Sequence, residues 1–305
     1  MQNGVVADNL VKTYGKKKDI IQALQGISFA VGKGELFGII GPDGAGKTSL
    51  FRILTTLLLA DSGNASIDGF DVVKDFKQIR NRVGYMPGKF SLYQDLTVEE
   101  NLEFFATIFK TTIHENYDLI KDIYSQIEPF RKRRAGKLSG GMKQKLALSC
   151  ALIHRPSVLF LDEPTTGVDA VSRKEFWEML QRLKKQNITI LVSTPYMDEA
   201  SLCDRVALLQ SGKILSINTP DGIIGEFSKS IMAAHAANML HLLNDLKNFD
   251  QVEDAYPFGE YHHAVMKKDF SEQGLKDYLQ KTNEDLVIKE VGPDIEDCFM
   301  ALMKT

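Results

Sequence analysis

Between Leu138 and Asp169 the chain combines two features that leave little freedom in how it can fold. Ser139-Gly140-Gly141 stands at a helix start, and the spacing predicts a helix over Gly140 to Ile153 with Leu146, Ala147, Cys150 and Ala151 apolar. The run Val158-Leu159-Phe160-Leu161 then reads as a buried parallel strand ending in two adjacent carboxylates, Asp162 and Glu163. A strand apolar on both faces requires helices above and below it. Upstream, a short apolar strand, Leu36 to Ile40, enters Gly41-Pro42-Asp43-Gly44-Ala45-Gly46-Lys47-Thr48, and a helix follows from Lys47 into Thr56. The eight residues fit the phosphate-loop pattern G-x-x-x-x-G-K-[ST] in its proper strand–loop–helix context. The bland alternatives are a glycine turn before a helix and two carboxylates capping a strand end. The full spacing and the flanking strand argue against the first.

The residue types in these segments suit nucleotide chemistry. Gly41, Gly44 and Gly46 let backbone N–H groups approach phosphates closely, and the helix starting near Lys47 adds its positive end. Lys47 would bind the β- and γ-phosphates and the Thr48 hydroxyl would coordinate Mg²⁺. Pro42, Asp43, Ala45 and Ser49 complete the candidate nucleotide-binding set. Asp162, on the C-terminal edge of the sheet, can hold Mg²⁺ directly or through water.

Further elements follow the same alternation. Thr97 to Phe109 reads as a helix with Val98, Leu102, Phe105 and Phe109 on one face; Arg173 to Gln186 is helical and Thr189 to Val192 is a strand. The pattern predicts a mostly parallel sheet flanked by helices. After about Gly225 the character changes. Asn238 to Asn248, Gly274 to Lys281 and a last helix opened by Pro293 alternate with strands at Val252–Pro257, Tyr261–Lys267 and Leu286–Val291, which is a small α+β domain. The expected domains are therefore 1–225, with a helical subdomain at about 90–155, and 226–305.

A net charge of -3 over 305 residues argues against a nucleic-acid partner held by phosphate contacts. The basic runs Lys16-Lys17-Lys18 and Arg131-Lys132-Arg133-Arg134 read as solvated loop charge. The three cysteines, Cys150, Cys203 and Cys298, form no C-x-x-C pair and fit reduced thiols of a cytosolic protein. No basic segment followed by an apolar stretch marks a signal peptide, and no stretch approaches the ~18 apolar residues of a membrane span. The six histidines lack metal spacing, and His262-His263 reads as a strand pair facing opposite sides.

Together, the phosphate loop, the Leu-Ser-Gly-Gly element and the Asp162-Glu163 strand end resemble the nucleotide-binding cassette of an ABC transporter, a P-loop NTPase fold. The C-terminal segment resembles the extension found in ATPase subunits of daunorubicin-resistance-type multidrug exporters. The resemblance implies several roles. Glu163 stands where the family's general base polarises the attacking water. Ser139, Gly140 and Gly141 would point the helix start at the γ-phosphate of a nucleotide held by the other cassette of a dimer. Asp169 matches the loop that crosses that interface, and Tyr14 sits where the family stacks an aromatic ring on adenine, an ordinary surface tyrosine being the alternative. ATP and Mg²⁺ are the implied cofactors. A membrane permease and a second cassette are the implied partners, with Gly88 to Phe105 as the docking surface. The implied location is cytoplasmic, peripheral on the inner face of the cell membrane.

Two positions depart from the family. Gly88 replaces a glutamine that touches Mg²⁺ and the attacking water, and Gln94 is a poor substitute on spacing. Pro195 replaces a histidine that hydrogen-bonds the γ-phosphate, and proline has no donor to offer. Thr194-Pro195 reads as an N-cap and first helical residue, with Asp198 and Glu199 in the first turn. The expected function is the ATP-binding subunit of an ABC exporter whose own site hydrolyses weakly. The alternatives are a nucleotide-binding regulator that never hydrolyses and a soluble ABC ATPase of translation or DNA repair.

Overall fold

The computed structural model describes residues 2–15 and 19–303, so the Lys16-Lys17-Lys18 run lies outside the described residues. The other basic run, Arg131 to Arg134, is exposed throughout, as expected. The chain divides into two compact units, Met1–Pro220 and Asp221–Thr305.

In chain order the first unit runs β1 (Asn3–Tyr14), β2 (Ile21–Gly32), β3 (Leu36–Ile40), α1 (Lys47–Leu54), β4 (Ser62–Ile67), β5 (Phe70–Asp71), α2 (Phe76–Arg80), β6 (Val83–Met86), α3 (Val98–Ile108), α4 (Tyr117–Tyr124), α5 (Gly140–Leu152), β7 (Val158–Asp162), α6 (Ala170–Lys185), β8 (Thr189–Thr194), β9 (Arg205–Gln210) and β10 (Lys213–Asn218). A six-stranded sheet has the order β10-β9-β3-β8-β7-β6. Its pairs are parallel except at the β10 edge. Every residue of β3, β7 and β8 is buried, which explains their unbroken apolar runs. A second sheet, β2-β1-β4-β5, is antiparallel and was not anticipated from the sequence. One core joins the two, with Phe51 of α1 edge-on to Phe160 of β7 at 5.5 Å.

The helical region is set by its caps. Thr97 and Glu100 form a capping box that starts α3, so the expected helix is present with Thr97 as its cap. Behind it the fully buried Asn101 side chain pins the preceding loop by bonding the Tyr93 amide and the Tyr93 and Thr97 carbonyls. Ser139 caps α5 and Asp169 caps α6, which therefore begins at Ala170 rather than Arg173. Thr194 does not cap a helix as the sequence implied. It stays in the parallel ladder opposite Ile40, and its hydroxyl accepts from the Tyr196 amide at 3.1 Å. The following turn is a 3₁₀ helix, Met197–Leu202, with Tyr196 at its N-cap and Asp198 and Glu199 in its first turn.

The second unit opens within α7 (Pro220–Gly225), whose first residue ends the first unit. β11 (Ile231–His235), α8 (Met239–Asn248), β12 (Val252–Phe258), β13 (Tyr261–Met266), α9 (Glu272–Leu279), β14 (Val287–Val291) and α10 (Ile295–Leu302) follow. The β-α-β-β-α-β order and the antiparallel sheet β12-β13-β11-β14 make a split βαβ motif. Leu242 and Leu246 of α8 and Leu275 and Leu279 of α9 cover one face of this sheet. Pro257 lies in β12, an edge strand, where a missing N–H breaks no central ladder.

His262 and His263 do face opposite sides: His262 meets the Met239 carbonyl, His263 the Asp297 carboxylate. Asp297 is fully buried, and burial alone pushes its carboxyl upward. Hydrogen bonds from His263, the Asp294 amide and Tyr256 outweigh that and hold it below the ordinary carboxylate range. The last helix starts at Ile295 because Asp294, not Pro293, caps it.

Candidate functional site

β3 delivers the chain to Gly41, whose amide donates to the Thr194 carbonyl at 3.2 Å. A Cβ at Gly41 would stand 2.1 Å from the Leu209 carbonyl oxygen, so only glycine fits between β3 and β9 there. Gly46 caps α1 with φ 108°, and a Cβ on it would stand 2.3 Å from the Ala23 carbonyl oxygen. No acidic residue occupies the first turn of α1 and no side chain caps it, so its amides and positive end are left for an anion.

The Lys47 ammonium is buried, donating to the carbonyls of Gly41 at 2.7 Å and Pro42 at 3.0 Å. It also pairs with the Glu163 carboxylate at 3.1 Å. Asp162 is buried at the end of β7, and burial pushes its carboxyl above the ordinary range despite hydrogen bonds from Ser193 and Thr48 and the nearby Lys47 ammonium; the Glu163 charge pushes the same way as burial. Glu163 follows with φ 50°, a left-handed conformation that a glutamate adopts at about 1–3 kcal/mol. Its amide donates to both the carbonyl and the hydroxyl of Ser193, each at 3.0 Å. The bonded oxygens of Thr48 and Asp162 are hard donors of the kind Mg²⁺ takes, and the buried carboxylate would gain from a cation. The donor set fits that ion.

Tyr14 ends β1 beside this group, its hydroxyl 3.0 Å from that of Ser49 and the residue 39% exposed. Both departures border it as well. A Cβ at Gly88 would stand 2.9 Å from the Asp162 carbonyl oxygen and 3.7 Å from the Glu163 Cβ. Pro195 follows the Thr194 carbonyl that holds Gly41. The Gln94 backbone carbonyl accepts from the Gly136 amide at 2.9 Å, which ties this loop to the segment before Ser139.

Ser139, Gly140, Gly141 and Asp169 form a second cluster, and none of the bonds just described reaches them. The Ser139 hydroxyl accepts from the Met142 amide, and Ser139 and Gly140 are exposed. A Cβ at Gly141 would stand 2.8 Å from the Ser172 hydroxyl, so glycine lets α5 approach the start of α6. Asp169 accepts from the Ser172 amide at 3.0 Å, a bond that holds its carboxyl below the ordinary range.

Ser193 is the site residue that the sequence pattern hid. The apolar run suggests a strand ending at Val192, but β8 continues to Thr194, and that extension sets Ser193 opposite Asp162. A hydroxyl directly after a buried run, level with the acidic strand end, was the available signal.

A family model described as ABC transporter matches residues 24–166. The probable multidrug ABC transporter ATP-binding protein YbhF of Escherichia coli (strain K12) is 39% identical over 277 residues, 88% of this chain and 47% of that protein. The chain thus spans about half the length of that relative. Daunorubicin resistance ATP-binding protein DrrA2 of Streptomyces coeruleorubidus is 32% identical over 318 residues, 98% of this chain and 94% of that protein. ABC transporter ATP-binding protein NatA of Bacillus subtilis (strain 168) is 38% identical over 208 residues, 67% of this chain and 85% of that protein. Among solved structures, the dimeric ATP-binding cassette MJ0796 bound to ADP and Pi is similar with TM-score 0.64 and 26% identity, over 70% of this chain and 98% of that one. Among the described residues no helix is long and apolar enough to cross a membrane.

Proposed function

The chain belongs to the ABC transporter ATP-binding family, and from that premise we propose that it is the ATP-binding subunit of a multidrug-type exporter, binding Mg-ATP to drive a separate membrane permease. The observation that carries this reading is the convergence of the buried Lys47 ammonium, the α1 start with no side-chain cap, Asp162 and Glu163 in one cluster. On nucleotide binding Lys47 exchanges the Gly41 and Pro42 carbonyls and Glu163 for the β- and γ-phosphates. Amides of Gly41 to Ser49 cradle the phosphates. Glu163, freed from Lys47, accepts a proton from water attacking the γ-phosphorus as the bond to the β-phosphate oxygen breaks, leaving ADP and phosphate. Thr48 and Asp162 would hold Mg²⁺, which neutralises phosphate charge.

The second cluster completes a partner's site. The exposed α5 start at Ser139-Gly140-Gly141 offers its amides to a γ-phosphate held by another cassette, with Asp169 beside it. The permease docks along Gly88 to Phe105, where Tyr93 is 50% and Phe104 37% exposed and their rings meet edge-on. The chain then sits on the cytoplasmic face of the membrane. Capture of the tagged chain from detergent-solubilised membranes is expected to recover a polytopic membrane subunit together with ATPase activity. Recovery from the soluble fraction alone, free of any membrane protein, overturns the exporter role and favours a soluble ATPase.

Tyr14 stacks on the adenine. Base–aromatic stacking is worth about 1–3 kcal/mol, so Tyr14→Ala weakens ATP binding roughly tenfold by calorimetry while Tyr14→Phe stays close to wild type. Equal affinity in Tyr14→Ala and wild type makes Tyr14 a surface residue whose partner is Ser49.

The borders formed by Gly88 and Pro195 support a slow site on this chain's own phosphate loop. Removing one preorganised donor to developing charge lowers the rate by ~10²–10³. A mixed dimer would leave the site completed by Ser139-Gly140-Gly141 as the fast one.

A further inference from the structure

We propose that Ser193 is the residue that positions both acidic groups of the nucleotide site, through one hydroxyl that bonds the Asp162 carboxylate and the Glu163 amide at once. The inference rests on the Mg-ATP reading above and adds a residue to it. Ser193 Oγ donates to Asp162 Oδ1 at 2.7 Å and accepts from Glu163 N at 3.0 Å. The serine is completely buried in β8, directly across the ladder from Asp162. Its single hydroxyl proton goes to the carboxylate and one of its two lone pairs to the amide, so its only donor is committed and the hydroxyl has one orientation.

Two consequences follow from this geometry. Asp162 Oδ1 is turned toward β8, which restrains the carboxylate, while Thr48 supplies its other side-chain hydrogen bond. The Glu163 amide is gripped by Ser193 twice, through Oγ and through the carbonyl, at a residue whose φ of 50° is left-handed. Loss of the hydroxyl leaves the carbonyl bond intact, so Glu163 keeps half its hold, whereas Asp162 keeps only the Thr48 contact. The larger effect therefore falls on the ion that Asp162 would hold. Partners that orient a metal ligand typically change metal affinity or activity 10–100-fold when removed.

The test uses Mn²⁺ as the probe, with a non-hydrolysable ATP analogue and the full chain, and reads bound ion by electron paramagnetic resonance. Ser193→Val and Ser193→Thr have matching shape and differ by the hydroxyl, so any strain from the added methyl is common to both. Ser193→Val and Ser193→Ala are expected to weaken Mn²⁺ binding on the order of tenfold or more, with Ser193→Thr within about threefold of wild type. Metal-free analogue affinity, which Lys47 and the loop amides supply, stays within about twofold in all three. Equal Mn²⁺ affinity in Ser193→Val and Ser193→Thr overturns the proposal, because packing alone would then account for the position. So does wild-type Mn²⁺ affinity in Ser193→Ala. A wild-type chain that binds no nucleotide with or without Mn²⁺ is a different result: it removes the Mg-ATP reading itself, and the role of Ser193 with it.

Discussion

Lys47→Ala is expected to weaken ATP binding by on the order of 10²–10³-fold in a calorimetric titration, since removing one member of a buried charge pair costs about 2–5 kcal/mol. The ammonium is buried and oriented by the Gly41 and Pro42 carbonyls before any ligand arrives, so little side-chain entropy remains to be lost on binding. The substitution also strips Glu163 of its cation. An unshielded carboxylate then faces the incoming phosphates, which adds repulsion to the lost attraction. These two effects separate in a double variant. Glu163→Gln in the Lys47→Ala background removes the repulsion and should recover part of the affinity, roughly threefold to tenfold on the 1.4 kcal/mol-per-decade scale. In the wild-type background Glu163→Gln also releases Lys47 for the phosphates. Indistinguishable ATP affinity in Lys47→Ala and wild type would end the assignment of the phosphate loop as a nucleotide site.

Much of this site is legible in the sequence because its elements are fixed by local rules. The glycines of the loop stand out in the sequence for the access they give phosphates, whereas the structure shows a second need at Gly41 and Gly46, the close carbonyls of Leu209 and Ala23. The β3 and β7 strands announce themselves by unbroken apolar runs, which a strand buried on both faces demands. The antiparallel sheet is less visible for a physical cause. β1 contains a register shift between Ala7 and Leu10, with Asn9 at φ 50°, so its apolar alternation breaks midway. β2 does alternate at Ile27, Phe29 and Val31, but Gly26 at φ 85° interrupts it just before. Helix starts were displaced where the cap lay outside the apolar pattern, as with Asp169 and α6. Thr194-Pro195 before Asp198 and Glu199 has the pattern of a cap, but the Thr194 hydroxyl bonds the Tyr196 amide, two residues on, while its backbone remains in the sheet. The contact of Ser193 with Asp162 joins residues 31 apart in sequence and depends on the strand register, which no local pattern contains.

In a reconstituted complex with a second, different cassette, Ser139→Arg should lower steady-state ATPase activity by on the order of 10²-fold or more, while Glu163→Gln changes it by less than about twofold. The asymmetry comes from where the departures lie. Gly88 abuts Asp162 and Glu163, and Pro195 follows the carbonyl that holds Gly41, so on the proposed reading both would impair the site on this chain's own loop. The α5 start keeps its serine cap and its two glycines, so the proposed partner site would be completed normally. An arginine at Ser139 would remove that cap and drive a long side chain into the proposed facing nucleotide, whereas a glutamine at Glu163 would silence a site that the proposed reading already makes slow. Restoring the missing donors is the converse experiment, and the structure ranks the two. A Cβ at Gly88 would stand 2.9 Å from the Asp162 carbonyl, so Gly88→Gln must push the β6 and β7 ends apart by a few tenths of an ångström. Pro195→His introduces no new Cβ, since proline already carries one, and removes no helix cap, since Tyr196 is the N-cap. Pro195→His alone should therefore raise turnover in a complex whose partner site is blocked by Ser139→Arg, by roughly tenfold or more if the histidine recovers even part of a preorganised donor's ~10²–10³. Loss of activity in Glu163→Gln as complete as in Ser139→Arg refutes the asymmetry, and makes this chain's own site an essential catalytic one despite Gly88 and Pro195.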